Sequence, residues 1–95
     1  MVKEFPFSES PIYKGSSEII IRKFSSDLRD DDLKWHWDEE DRTIFPMVET
    51  DWMFQYDNEL PIPIKSKIEI QKGTWHRIIK GTGDLHLIVE KHRDI

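Results

Sequence analysis

The chain has 95 residues, carries 14 Lys+Arg against 19 Asp+Glu for a net charge of −5, and contains no cysteine. One small domain with one core fits that length; disulfides and thiolate metal sites are excluded, and a reducing compartment suits the composition. The acidic balance argues against binding a phosphate backbone, so no nucleic-acid partner is expected, and no apolar run is long enough to span a membrane.

Residues 1–17 hold Pro6, Pro11 and Gly15, which interrupt every possible run and predict an extended N-terminal arm packed on the domain or on a neighbour. The opening MVKEFPFSES lacks the basic-then-apolar layout of a secretory signal, and a cytoplasmic protein is expected. A single domain is expected over 18–95. Its first strand is Glu18–Phe24 (EIIIRKF), rich in β-branched residues. Residues 25–32 (SSDLRDDD) are polar and turn-like, with room for one helical turn.

A series of short strands follows. Residues 33–38 (LKWHWD) alternate, predicting Leu33, Trp35 and Trp37 on one face and Lys34, His36 and Asp38 on the other. Residues 42–48 continue the pattern, with Pro46 marking a bulge or an unpaired edge position. Residues 51–56 place Trp52, Phe54 and Tyr56 on one side, and DNELPIP supplies a turn and a proline-marked edge. Strands are then predicted at 67–70, 76–80 and 85–90, separated by the turns QKGT and GTGD. Short strands at even spacing, without a helical period, predict an all-β sandwich or barrel.

Two places carry chemistry. In WHWDEEDR, a strand would project His36 and Asp38 from one face with Cβ atoms about 7 Å apart. Glu40 and Arg42 would follow on that face if the strand stayed regular. An inward row of charges needs a metal or an ion pair to compensate it. In KGTWHR, Gly73 permits a sharp turn directly before His76. Two imidazoles and one carboxylate form a facial set suited to a divalent metal, Fe, Mn, Ni or Zn, with open positions for substrate or water.

These residues resemble the motifs of the cupin superfamily over roughly residues 33–90. In QKGTWHRIIK, Gly73 and His76 match the G-x-x-H core of the second motif, Gln71 stands where proline is usual, and Lys80 where asparagine is usual. In the first motif His36 matches the first histidine, while Asp38 takes the place of the second, Arg42 of the glutamate and Glu49 of the closing glycine. The resemblance implies a small jelly-roll β-barrel, commonly a homodimer, with a metal inside the barrel mouth.

On this reading His36, Asp38 and His76 hold the metal and Glu40 is the reserve ligand. The small-molecule ligand is polar or carboxylate-bearing, and the metal acts as a Lewis acid or, as iron, binds dioxygen. Arg42 leaves two alternatives open. It grips the anionic group of a substrate as part of the catalytic apparatus, or it neutralises Asp38 or Glu40 in a metal-free site. The second alternative makes the domain a non-catalytic binding or interaction module.

The remaining polar residues are read more plainly. Asp41 pairs locally with Arg42, His86 points away from Leu85, Leu87 and Val89, and His92 lies on the surface. Trp75 and Tyr56 are expected to pack in the core, with the lining of a substrate pocket as the alternative. Trp35 and Trp37 face outward and need a cover, either a dimer partner or the arm around Phe5, Phe7 and Tyr13.

Overall fold

The computed structural model describes residues 7–15 and 17–92, and these fold almost wholly as antiparallel strands. They are β1 (Ser8–Lys14), β2 (Ser17–Phe24), β3 (Asp41–Pro46), β4 (Met53–Tyr56), β5 (Ile62–Pro63), β6 (Ile68–Ile70), β7 (His76–Ile79) and β8 (Leu85–His92). A single 3₁₀ turn at Asp30–Asp32 is the helical turn expected after the first predicted strand. Among the described residues no helix is long and apolar enough to cross a membrane.

The strands form a five-stranded sheet in the order β1-β2-β8-β3-β6 and a three-stranded sheet in the order β5-β4-β7. Period-two alternation sets which side chains meet between them. On β8, Leu85, Leu87 and Val89 are buried while His86 and Ile88 are not. Opposite them in register stand Phe24, Arg22 and Ile20 of β2. On the other side of β8, Ile44 lies against Val89. Trp52 and Phe54, fully buried at and beside β4, join these residues in one core with Leu33, Ile64, Ile68 and Ile70. The predicted side of Trp52, Phe54 and Tyr56 is therefore the inward one.

Three expectations differ from the structure. The arm is a regular edge strand over Ser8–Lys14, paired with β2 and exposed along its whole length. Pro11 is tolerated because an edge strand has an unpaired side, and the register shifts between Pro11 and Tyr13 to absorb the irregularity. Phe5 lies outside the described residues. Phe7 packs on Phe24 at 5.4 Å between ring centroids.

Residues 33–38 are not a strand. They touch a sheet at one isolated bridge, His36 to His76, where each backbone N–H donates to the other's carbonyl at 3.0 and 2.9 Å. Antiparallel register through that bridge would set Asp38 against Thr74, which stands in the Gly73 turn, and Lys34 against Ile78. The 3₁₀ turn ending at Leu33 has by then drawn the chain into the core. The ladder fails on both sides of His36. Trp75, expected in the core, is 48% exposed beside the bridge.

Candidate metal centre

The failed ladder nonetheless brings the predicted residues together. Asp38 is buried, held by the Gly73 N–H, which donates to its backbone carbonyl at 2.9 Å. Gly73 has φ +78°, a left-handed conformation open to glycine at little cost. His76, at the start of β7, is also buried, with its ring stacked on Phe54 at 5.5 Å. His36 stands at the rim, about half exposed, rather than fully inward as the alternation predicts. One ligand atom from each of His36, Asp38 and His76 lies within 4.8 Å of the others.

Both imidazoles are oriented from behind. Nδ1 of His76 donates to the Thr74 carbonyl at 2.8 Å, and Nδ1 of His36 donates to the Lys34 carbonyl at 3.1 Å. A carbonyl can only accept, so each neutral ring carries its proton on Nδ1 and turns the Nε2 lone pair toward Asp38. His76 Nε2 stands 3.3 Å from Asp38 Oδ2, and His36 Nε2 stands 3.9 Å from Asp38 Oδ1. Asp38 Oδ2 is buried without an aligned hydrogen-bond donor. Acceptors therefore face acceptors across a gap that a cation would bridge. Ligands held about 2.1 Å from a metal are themselves roughly 3–3.5 Å apart, so the His76–Asp38 spacing fits, while His36 at the rim stands wider at 3.9 Å. Backbone carbonyls fixing Nδ1–H are the usual outer support of ligating histidines.

Burial pushes the Asp38 carboxyl up, but the His76 ring in its protonated form and the Arg42 guanidinium outweigh it and hold the group below the ordinary aspartate value. Desolvation lowers the His36 pKa, with the neighbouring His76 and Arg42 charges adding to the effect.

Arg42 projects inward from β3, and its guanidinium is fully engaged. Nη1 lies 3.2 Å from Asp38 Oδ1, while Nη2 and Nε donate to Glu40 Oε1 at 2.9 and 3.1 Å. Glu40 thus belongs to Arg42 and stands outside the converging set. Asp41 does not pair with Arg42 either; its Oδ1 accepts from the Lys72 N–H at 2.8 Å. His86 points to the outer face. His92 ends β8, where its Nε2 lies 2.8 Å from Thr43 Oγ1. Trp35 and Trp37 are exposed by 38% and 49%, with the Arg77 guanidinium 4.7 Å from the Trp35 ring centroid.

The site opens on a cavity of about 850 Å³ between the sheets. Its walls are mainly apolar, including Phe24, Ile44, Phe54, Leu87 and Val89, and its size suits a small molecule. One charged wall residue escapes the sequence reading. Arg22 of β2 lines the cavity, although a lone arginine in IIIRKF resembles a solvent-facing break. The available signal was its phase, since it shares parity with Ile20 and Phe24, both buried.

No family model matches the chain, and no curated protein matches it. Solved structures do. A cupin domain from Bordetella pertussis Tohama I aligns with TM-score 0.68 at 11% identity, over 99% of this chain and 100% of that one. DMSP lyase DddQ from Ruegeria pomeroyi DSS-3 aligns with TM-score 0.76 at 11% identity, over 95% of this chain and 48% of the lyase. FeII HppE in complex with substrate aligns with TM-score 0.70 at 16% identity, over 96% of this chain and 57% of HppE. The chain spans about half the length of the latter two. These likenesses show a cupin-like fold.

Proposed function

We propose that this is a small metal-binding, cupin-like protein acting on a small polar molecule, with His36, Asp38 and His76 holding one divalent ion. The observation that carries this reading is the convergence of two Nε2 atoms on the buried Asp38 carboxylate, whose Oδ2, facing His76, has no hydrogen-bond donor among the described residues. FeII HppE, a structural neighbour with substrate bound, adds support by analogy of fold.

A bound divalent ion would supply Lewis acidity or, as iron, redox chemistry. Asp38 and His76 would fix it at the cavity wall, and His36 would close the rim. Arg42 is a positioning residue in this reading, because its donors are spent on Asp38 and Glu40 and so orient the carboxylate rather than grip a substrate. Glu40 holds Arg42. A cytoplasmic homodimer using exposed Trp35 and Trp37 completes the proposal, and light scattering of the Trp35→Ala, Trp37→Ala variant tests it. A shift from dimer to monomer is expected; a monomeric wild type overturns the dimer.

The Arg42–Asp38 ion pair favours a second reading, a binding module whose aspartate is neutralised without metal. Elemental analysis after reconstitution with Fe(II), Mn(II), Ni(II) or Zn(II) separates the two. One equivalent of metal, absent from the His76→Ala variant, is expected. No bound metal under any of these conditions sinks the metal reading and leaves the second.

A further inference from the structure

We propose that Arg22 is the anion-binding residue of the cavity. The ligand class is then a small molecule with a carboxylate-type anion at one end, a short apolar middle, and a polar group directed at the His36–Asp38–His76 site. The assignment of the far end rests on the metal-binding reading; the anion end does not.

Two arginines line the cavity, and they differ in what they have left to give. Each of the three guanidinium nitrogens of Arg42 already contacts Asp38 or Glu40. The Arg22 side chain is only 13% exposed, yet its hydrogen bonding to the described residues is one contact, Nε to Glu9 on the exposed edge strand β1. Its guanidinium lies over the Phe7 ring, 4.1 Å from the centroid. Among the described residues neither Nη has a hydrogen-bond partner. A buried guanidinium presents its fork to a planar anion and gains most from bidentate pairing.

The geometry between the two ends is apolar. Arg22 is aligned with Leu87 of β8 and Arg42 with Lys91, four residues further along the same strand. That offset is roughly 13 Å at the backbone. The row between them is Ile20, Val89 and Ile44. Arg22 also feels the charges of Arg42 and Asp38, as expected of groups facing one space. A ligand lying along this floor would set its anion on Arg22 and its other end toward Asp38.

Hexanoate is a suitable probe, with hexanol and hexylamine as neutral and cationic counterparts, titrated calorimetrically and by the fluorescence of Trp37 at the cavity wall. Metal-free protein is used so that a carboxylate cannot bind through a metal. Wild type is expected to bind hexanoate in preference to both counterparts. Arg22→Gln should weaken binding about 10–100-fold, the loss of a charge-assisted pair, and His86→Gln, on the outer face of β8, should leave it within about twofold. Glu9→Gln should tighten binding, because it removes the carboxylate that competes for the guanidinium. That variant decides the matter if Arg22→Gln fails to fold. Equal binding of hexanol, unchanged binding in Arg22→Gln, or weakened binding in Glu9→Gln overturns the proposal. Because binding is read in metal-free protein, loss of the metal site and loss of the anion end are told apart.

Discussion

Two corners of this molecule place polar atoms against its core, and they do so in opposite ways. At the corner where β4 meets the turn before β8, the buried Trp52 indole and the exposed Asp51 carboxylate both have partners. Fully buried Trp52 donates its indole N–H to the Gly83 carbonyl at 3.0 Å. Asp51 accepts from the Thr82 N–H and hydroxyl at 2.8 and 2.7 Å. Gly81 lies so close that an added Cβ would stand 2.7 Å from the Trp52 backbone nitrogen. At the His36–Asp38–His76 corner, Asp38 Oδ2 has no donor among the described residues and faces His76 Nε2, while His36 Nε2 faces Oδ1. A corner built only for stability closes its hydrogen bonds, because each buried unpaired group costs about 1–3 kcal/mol. A buried oxygen left open calls for a partner, such as a water or an ion.

Removing Trp52 should give the largest effect. Trp52→Ala deletes a fully buried ring that contacts Phe24 at 6.0 Å and should cost about 3–5 kcal/mol in chemical denaturation. The loss should be the same with and without Zn(II) if the two corners are independent. A metal-dependent loss would mean that the open corner borrows its geometry from the closed one.

Next in size is the response to metal itself. At free Zn(II) one hundred times the dissociation constant, wild type should gain about 2.7 kcal/mol by mass action. Asp38→Asn should abolish that gain. Its amide oxygen can still accept from Arg42, and its amide N–H can donate to the His76 Nε2 lone pair. The metal-free variant should therefore stay within about 1 kcal/mol of wild type, because a new hydrogen bond offsets a weakened ion pair. A metal-free Asp38→Asn protein several kcal/mol less stable would show that Asp38 is structural, like Asp51.

The two corners also differ in how far the sequence disclosed them. Trp52, Phe54 and Tyr56 alternate plainly, and so do Leu85, Leu87 and Val89, because period-two burial is a local property of each strand. His36, Asp38 and His76 were legible as a set through the G-x-x-H turn and the H-x-D spacing. The route by which they meet was not. The Leu33–Asp38 pattern alternates well enough for a strand, but pairing depends on what lies opposite, and the Gly73 turn lies opposite Asp38. Strand β1 was hidden by Pro11, which an edge position tolerates, and Arg22 by its charge. Trp75 was assigned to the core on its type alone, whereas the structure leaves it exposed beside the bridge. Local periodicity thus specified the layers, while long-range pairing specified the site.

The smallest effect expected is that of pH, and its window differs between the corners. The Thr82 hydrogen bonds hold the Asp51 carboxyl below its ordinary value. A lowered carboxyl pKa stabilises above the unfolded value of 3.8 and is lost only as pH falls through the folded one. The closed corner should therefore be unmoved between pH 7 and about 5. His36 behaves otherwise. Its folded pKa is lowered, so the unfolded chain binds a proton first, and stability declines as pH falls below the ordinary histidine value of 6.5. Because the ring is half exposed, solvent screening keeps this loss small in the metal-free protein. Metal binding should report it more clearly, since ligation needs the unprotonated Nε2. Zn(II) affinity, measured by competition with a chelator, should be level above about pH 6.5 and weaken steadily below it. His36→Gln should flatten part of that decline. An affinity level down to pH 5 would remove the histidines from the metal's coordination and, with them, the distinction between the open corner and the closed one.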